Sequence, residues 1–116
     1  MKLVIAGSRT LDNDQRVLDG LNQLIVPRHG WPVQIITGDA IGVDQSAKRI
    51  ALANHVDYIP YKPIYEHAND RRAPLRRNED MADSGDVLLA VWDGHSAGTG
   101  HMIHCMQQRN KPVYIC

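Results

Sequence analysis

Cysteine, aromatic side chains, excess charge and long apolar segments are all scarce in this sequence of 116 residues. The two cysteines, Cys105 and Cys116, form no CxxC pair, and residues 1–3 lead directly into an apolar run instead of a signal peptide. We therefore expect a cytoplasmic protein. No apolar run approaches the ~20 residues that a membrane-spanning helix requires, so we expect no membrane partner.

Charge is balanced over the whole chain, with thirteen Lys and Arg against thirteen Asp and Glu. Net charge therefore supplies no long-range attraction to nucleic acid. Aromatic residues make up only 5% of the sequence, whereas single-stranded nucleic acid is usually bound by several stacking rings. Four arginines cluster at Arg71, Arg72, Arg76 and Arg77. We expect Arg71 and Arg72 to be solvated, and Arg76 and Arg77 to offer forked donors to phosphate, Arg77 above all.

Short, almost wholly apolar runs recur along the chain and are typical of parallel strands covered on both faces. They predict strands over residues 2–7, 33–37, 56–61, 86–92 and 113–115. Helical spacing predicts four helices between them, the first over residues 13–26 and ended by a breaker segment at 27–30. This alternation predicts one α/β domain over residues 1–116, with a doubly wound, mainly parallel five-stranded sheet and helices on both faces.

Glycine-containing loops follow the first, second and fourth predicted strands and open a helix each time. Ligands of open parallel sheets bind beyond the carboxyl ends of the strands, and helix N-termini favour phosphate. One such loop is equally typical of a tight turn, but three at one edge favour a binding site. Neither GxxxxGK[ST] nor GxGxxG occurs, so a P-loop NTPase or an ordinary dinucleotide domain is not supported.

We predict that a small nucleotide-like ligand binds between these loops, with Gly98 and Thr99 on phosphate and Arg9 and Arg77 as cationic clamps. Asp44 is a candidate for ribose hydroxyls or for a helix cap, and the same two roles are open to Asp93. The complete set of predicted ligand-binding residues is Gly7, Ser8, Arg9, Gly38, Gly42, Asp44, Arg77, Asn78, Asp93, Gly94, Ser96, Gly98 and Thr99.

Potential metal ligands share one predicted helix, at His101, His104 and Cys105. A metal site would require further ligands from elsewhere in the chain. We therefore expect neither a bound metal nor another cofactor.

Four motifs occur in order along the chain: GSR at residues 7–9, GxxxGxD at 38–44, RNxxM at 77–81 and WDGxSxGTxHMI at 92–103. Together they resemble the YpsA-related branch of the SLOG superfamily, and the resemblance extends over nearly the whole chain. It implies a Rossmann-like fold, a site for nucleotides or nucleotide derivatives such as ADP-ribose-like molecules, and a homodimer.

Another branch of that superfamily, the LOG-type phosphoribohydrolases, removes the base from nucleoside monophosphates with an Arg and a Glu beside a PGGxGTxxE loop. Arg77 lies where that Arg would fall, and Gly98 and Thr99 match the Gly-Thr pair of the loop. Met102 stands in place of the Glu, and a thioether neither transfers a proton nor stabilises an oxocarbenium ion. Enzyme activity stays open, with Arg77, Asp44 and Asp93 as candidate catalytic residues.

Three functions remain in competition. The leading hypothesis is a binding or sensing domain for a nucleotide derivative. The first alternative is a hydrolase of an N-glycosidic or phosphoester bond. The second alternative is association with single-stranded nucleic acid, because the superfamily's fold also occurs in proteins that handle single-stranded DNA, although neutral charge and few aromatic rings argue against it.

Overall fold

A computed structural model describes residues 1–116, and its centre is a five-stranded sheet. The strands are β1 Lys2–Gly7, β2 Gln34–Thr37, β3 Asp57–Pro60, β4 Val87–Val91 and β5 Val113–Ile115. They lie in the order β3-β2-β1-β4-β5, and every neighbouring pair is parallel. The predicted doubly wound, Rossmann-like α/β fold is confirmed. The strand order reverses between β1 and β4, which is where such folds bind ligands.

The two central strands are covered on both faces, which explains their continuous apolar sequences. All five residues of β4 are buried, as are Leu3, Val4 and Ile5 of β1. Val4 pairs with Leu88 in register, and the pairing continues to the last residue of each strand. The carboxyl ends of β1 and β4 therefore reach the same edge together.

The first helix is continuous but changes its winding. It begins with α1 (Asp14–Gly20), passes through a π-helical turn (Leu21–Ile25) and ends with α2 (Val26–His29). The predicted break at residue 27 is wrong, because Pro27 lies inside this helix. Val26 N–H donates to the Leu21 carbonyl five residues back, and Pro27 then occupies the first turn of α2, where its missing N–H costs little.

The remaining helices are α3 (Val43–Ala53), α4 (Ala73–Ser84) and α5 (Ala97–Gln108). The side chains of α1 and α3 pack on one face of the sheet, around Leu3, Ile5 and Leu89. Those of α4 and α5 pack on the opposite face, around Val4 and Leu88. Both faces are thus covered by helices, as predicted, and no helix combines the length and apolar character needed to cross a membrane.

Candidate functional site

A cleft of about 360 Å³ opens at the carboxyl edge of the sheet, over the ends of β1, β2 and β4. Each strand leads into a loop and then a helix, so the topology brings the three loops together. The cleft is lined by Ala6, Gly7, Arg9, Thr10, Gly38, Ala40, Asp44, Arg77, Asn78, Met81, Asp93, Ser96, Ala97, Gly98, Thr99 and Met102. Ten of the thirteen predicted ligand-binding residues are in this set.

The loop after β1 contributes a free cation to the cleft. Arg9 is exposed, and its guanidinium makes no hydrogen bond or ion pair within the protein. Ser8, by contrast, is fully buried beneath the cleft. Its Oγ accepts from the Asp93 N–H at 3.2 Å and lies 3.2 Å from Ser96 Oγ. Ser8 therefore joins the loops after β1 and β4 and does not face a ligand.

Two predicted glycines also lie outside the cleft, and one of them fixes how closely its loops pack. Gly42 has a φ of 77°, and a Cβ there would lie 2.5 Å from the Ser8 carbonyl oxygen. Beside it, Val43 N–H donates to that same carbonyl at 3.3 Å. Gly42 thus allows the loop after β2 to contact the loop after β1, backbone against backbone. Gly94 lies in the turn after β4.

Asp44 is the acidic group of the cleft. It lies in the first turn of α3, is only 8% exposed, and accepts a hydrogen bond from the Ala40 N–H at 3.1 Å. Burial raises the pKa of Asp44 to about 6, against the opposing effects of the Ala40 N–H and the positive charge of Arg77. Gly42, not Asp44, is the N-cap of α3, so this carboxyl closes the preceding loop and is not a cap of its own helix.

Arg77 is the second cation of the cleft and is held in place by three hydrogen bonds. Its Nη1 donates to the carbonyls of Gly38 and Tyr61 at 3.2 Å each, and its Nε donates to Asn78 Oδ1 at 3.0 Å. Arg77 lines the cleft, and its Nη2 has no acceptor within the protein, so the two N–H groups of Nη2 are unused. Burial lowers the pKa of Arg77 and the charge of Arg9 lowers it further, while Asp44 opposes both.

The buried side chain of Asn78 connects α4 to α5. Its Oδ1 accepts from Arg77, and its Nδ2 donates to the Gly98 carbonyl at 3.4 Å and lies 3.0 Å from His101 Nδ1. The sequence motif included Asn78, but nothing in the sequence predicted its contact with His101.

The start of α5 supplies backbone donors. The Gly100 N–H bonds to the Ser96 carbonyl at 3.1 Å, so the N–H groups of the preceding residues, Ala97, Gly98 and Thr99, have no helical partner. A Cβ at Gly98 would meet no atom within 4 Å. Unpaired N–H groups beside open space, at the positive end of a helix dipole, suit an anion.

Asp93 is already engaged in the turn before α5. Its Oδ1 accepts from the backbone N–H groups of His95 at 2.7 Å and Ser96 at 2.9 Å. These hydrogen bonds lower the pKa of Asp93 to about 2. The N-cap of α5 is Ser96, so Asp93 closes the turn before α5 and does not cap the helix.

The part of the cleft lined by Met102 is apolar, although a LOG-type phosphoribohydrolase has its catalytic Glu at this position of the loop. Met102 is 1% exposed and lines the cleft, and Met81 lies beside it on α4. Both methionines were named from the sequence, Met81 in the RNxxM motif, but neither was predicted to bind the ligand. Four further lining residues were missed because they carry no charge: Ala6, Thr10, Ala40 and Ala97.

The arginines of the basic cluster at residues 71–77 have different surroundings. Arg76 Nη2 donates to the buried Asp70 at 2.5 Å and to the Ile64 carbonyl at 3.1 Å. Arg76 therefore binds residues of the loop before α4 and lies outside the cleft. The prediction that Arg76 donates to a phosphate in the cleft is wrong. The side chains of Arg71 and Arg72 are exposed and make no hydrogen bonds.

The predicted helical neighbourhood of His101, His104 and Cys105 is present on α5. Cys105 Sγ lies 3.6 Å from His101 Nε2, whereas His104 is exposed. No group of three or more His, Cys, Asp or Glu side chains is arranged to hold a metal ion.

The model of the family described as "YspA, cpYpsA-related SLOG family" matches residues 1–67. No curated protein matches the sequence significantly. A structure of DNA processing protein A from Helicobacter pylori, described for its single-stranded DNA binding mode, is 21% identical with a TM-score of 0.71, over 99% of this chain and 64% of that chain. This chain thus spans less than two thirds of that protein.

A structural genomics target, TM1055, is 17% identical with a TM-score of 0.68, over 97% of this chain and 71% of that chain. At these identities the two likenesses show a shared fold.

Proposed function

Because the chain belongs to the YspA, cpYpsA-related SLOG family, we propose that its cleft binds a nucleotide or a nucleotide-derived ligand such as ADP-ribose. One observation carries the proposal: unused donors from three separate loops and helices converge on one cleft. These donors are the Arg9 guanidinium, Arg77 Nη2 and the first N–H groups of α5. A domain of this kind binds or senses its ligand and requires no turnover.

The phosphate groups lie at the start of α5, between the two guanidinium groups. Arg77 is pre-oriented by its bonds to Gly38, Tyr61 and Asn78, so little side-chain entropy is lost when Nη2 meets a phosphate oxygen. Arg9 is free to move and closes on the ligand from the mouth of the cleft. A bound anion also relieves the repulsion between Arg9 and Arg77 that lowers the pKa of Arg77.

The sugar lies toward Asp44 on the other side of the cleft. An ionised carboxyl accepts hydrogen bonds from two neighbouring ribose hydroxyls, as acidic residues do in other doubly wound folds. The cleft volume of about 360 Å³ lies within the range of about 300–1,000 Å³ that is usual for small-molecule sites.

Native mass spectrometry of gently purified protein tests the proposal without assuming a ligand. We expect a nucleotide-like mass on the folded protein, and the same spectrum reports whether the chain forms the homodimer that its family resemblance implies. Calorimetric titration with ADP-ribose then compares wild type with Arg9→Ala. A lost charge-assisted hydrogen bond weakens binding by about tenfold or more.

Arg16→Ala is the matched control, because Arg16 is also exposed and its side chain makes no hydrogen bond, but it lies outside the cleft. The proposal is contradicted if wild type binds no nucleotide derivative at millimolar concentration, or if Arg9→Ala and Arg16→Ala bind equally well.

The raised pKa of Asp44 favours a second candidate function, hydrolysis of a nucleotide's N-glycosidic bond. A carboxyl with a pKa of about 6 is suited to proton transfer near neutral pH, whereas Met102 is not. In this reaction water adds to the anomeric carbon as the bond to the base breaks, and the base leaves with a proton. Release of free base by wild type and not by Asp44→Asn supports hydrolysis, and saturable binding without release supports the binding domain.

The likeness to DNA processing protein A favours the second alternative, association with single-stranded DNA, although neutral charge and few aromatic rings make nucleic acid an unlikely partner. The exposed Arg71 and Arg72 would then contact the phosphate backbone of the DNA. A gel-shift series over increasing salt, with the Arg71→Ala/Arg72→Ala double variant, tests this role. A shift that the double variant abolishes favours DNA, and no shift at low salt excludes it.

A further inference from the structure

We propose that His101 is a positioning residue for the anion site, acting through Asn78 on Arg77 and on the start of α5. The inference rests on the proposed function, because it concerns how the phosphate-binding donors are held. His101 does not line the cleft. It contacts the side chain that orients Arg77.

The orientation of the Asn78 amide follows from its partners. Arg77 Nε carries only a donor, so the atom of Asn78 that faces it at 3.0 Å must be the oxygen. The opposite atom, Nδ2, then faces the Gly98 carbonyl, which accepts only. Two independent contacts therefore give the same orientation of the amide.

This orientation determines the protonation state of His101. Nδ2 of Asn78 is a donor and lies 3.0 Å from His101 Nδ1, so Nδ1 must carry a lone pair. The imidazole is therefore neutral, with its proton on Nε2. Cys105 Sγ lies 3.6 Å from Nε2 and 3.8 Å from Nδ1, so it contacts the ring without selecting either nitrogen.

Protonation of Nδ1 would place two donors against each other. If the Asn78 amide rotates to offer its oxygen to His101, its NH₂ group meets the Nε–H of Arg77. If it does not rotate, the contact with His101 breaks. With rotation, Arg77 and the Gly98 carbonyl lose their hydrogen bonds to Asn78; without it, Asn78 loses the contact that holds its amide in this orientation. The donors of the anion site are then held less firmly.

The groups around His101 determine the pH at which its Nδ1 is protonated. Burial lowers the pKa of His101, the nearby charge of His104 lowers it further, and Glu79 on α4 opposes both. Cys105 is the other titratable group in contact with the ring, and burial raises its pKa. His101 is therefore neutral at neutral pH and becomes protonated below its ordinary value of about 6.5. Ligand affinity is expected to fall as the pH falls through this range.

Nuclear magnetic resonance of the unliganded protein tests the contact itself. Long-range ¹⁵N spectra are expected to show His101 as the Nε2–H tautomer at about pH 8, and the Asn78 side-chain amide is expected to shift with the His101 titration. An Nδ1–H tautomer, or an Asn78 amide that does not follow that titration, overturns the inference whether or not any ligand binds.

Calorimetric titration with ADP-ribose tests the consequence for binding. Each phosphorus of this probe carries one ester and one anhydride bond and keeps only a strongly acidic hydroxyl, so the charge of ADP-ribose is constant between about pH 5.5 and pH 8, unlike that of a phosphomonoester. Wild-type affinity is expected to fall by about tenfold or more over this interval. His101→Asn keeps an acceptor near the position of Nδ1 but does not titrate, so its fall should be clearly smaller.

His104→Asn is the matched control, because His104 is exposed on the same helix and does not contact Asn78. Its affinity should fall by as much as that of wild type, with the fall displaced toward higher pH because the charge of His104 no longer lowers the pKa of His101. Asp44 also titrates in this interval, but it is present in all three proteins. Equal profiles for wild type and His101→Asn overturn the inference while the proposed function stands. Absence of ADP-ribose binding by wild type at every pH counts against the proposed function, and the resonance experiment still decides the role of His101.

Discussion

Asp44→Asn is expected to stabilise the protein while weakening its binding of nucleotides. Asp44 is 8% exposed, and no cation lies within ion-pair distance of it, since Arg77 acts on it only through its field. Asparagine retains an oxygen that accepts from the Ala40 N–H. The substitution therefore removes a buried charge without removing the hydrogen bond.

The size of the effect follows from the pKa of the carboxyl. Burial raises it from 3.8 to about 6, and at about 1.36 kcal/mol for each pH unit this is about 3 kcal/mol. The folded state binds this proton more tightly than the unfolded state does. The resulting stability is present below pH 3.8 and is lost as the pH rises through about 6. Relative to Asp44→Asn, wild type should lose about 3 kcal/mol over this interval.

Urea unfolding, followed by the fluorescence of Trp31 and Trp92, measures the difference at several pH values between about 4 and 8. Other titrating groups are common to both proteins, so the comparison isolates Asp44. Asp57→Asn is the control, because Asp57 is exposed and makes no side-chain hydrogen bond. Parallel profiles for wild type and Asp44→Asn would refute a buried, charged Asp44. Calorimetry with ADP-ribose then tests whether the more stable variant binds less tightly.

Two further substitutions distinguish a glycine that is needed for folding from a glycine that is needed for ligand binding. Gly42→Ala should destabilise the protein by about 1–3 kcal/mol, because Gly42 has a φ of 77° and a Cβ would lie 2.5 Å from the Ser8 carbonyl oxygen; a urea midpoint equal to that of wild type would contradict this. Gly98→Leu should leave stability within about 1 kcal/mol of wild type, because its Cβ meets no atom within 4 Å, and should abolish ADP-ribose binding by occupying the phosphate position. Calorimetry showing undiminished affinity would place the phosphate elsewhere.

The strands of the sheet were predictable because burial on both faces leaves a direct mark in the sequence. β4 is buried at every position, and its apolar run predicted it to within one residue at each end. The helix through Pro27 was not predictable by the same local reasoning. A π-helical turn precedes the proline, and Leu21 and Ile25 of that turn are fully buried in the core. Tertiary packing thus overrides the local helix-breaking tendency of proline.

The place of the cleft was predictable from topology, but the directions of its side chains were not. Arg76 and Arg77 are neighbours in the sequence and point about 100° apart on α4. Arg76 meets Asp70, and Arg77 lines the cleft. Which of the two faces the ligand depends on how α4 packs on the sheet. The contact between Asn78 and His101 joins two helices, so no local spacing indicates it.

The most direct test of the nucleotide cleft is to map ADP-ribose onto the protein by ¹⁵N–¹H chemical-shift titration of wild type. We predict saturable shifts of the Gly38, Gly98 and Thr99 amides, which lie around the cleft, and none at Gly30, which lies at the end of α2 outside it. A nucleotide site in this cleft is contradicted if no amide shifts saturably at millimolar ADP-ribose, or if saturable shifts occur only outside the cleft.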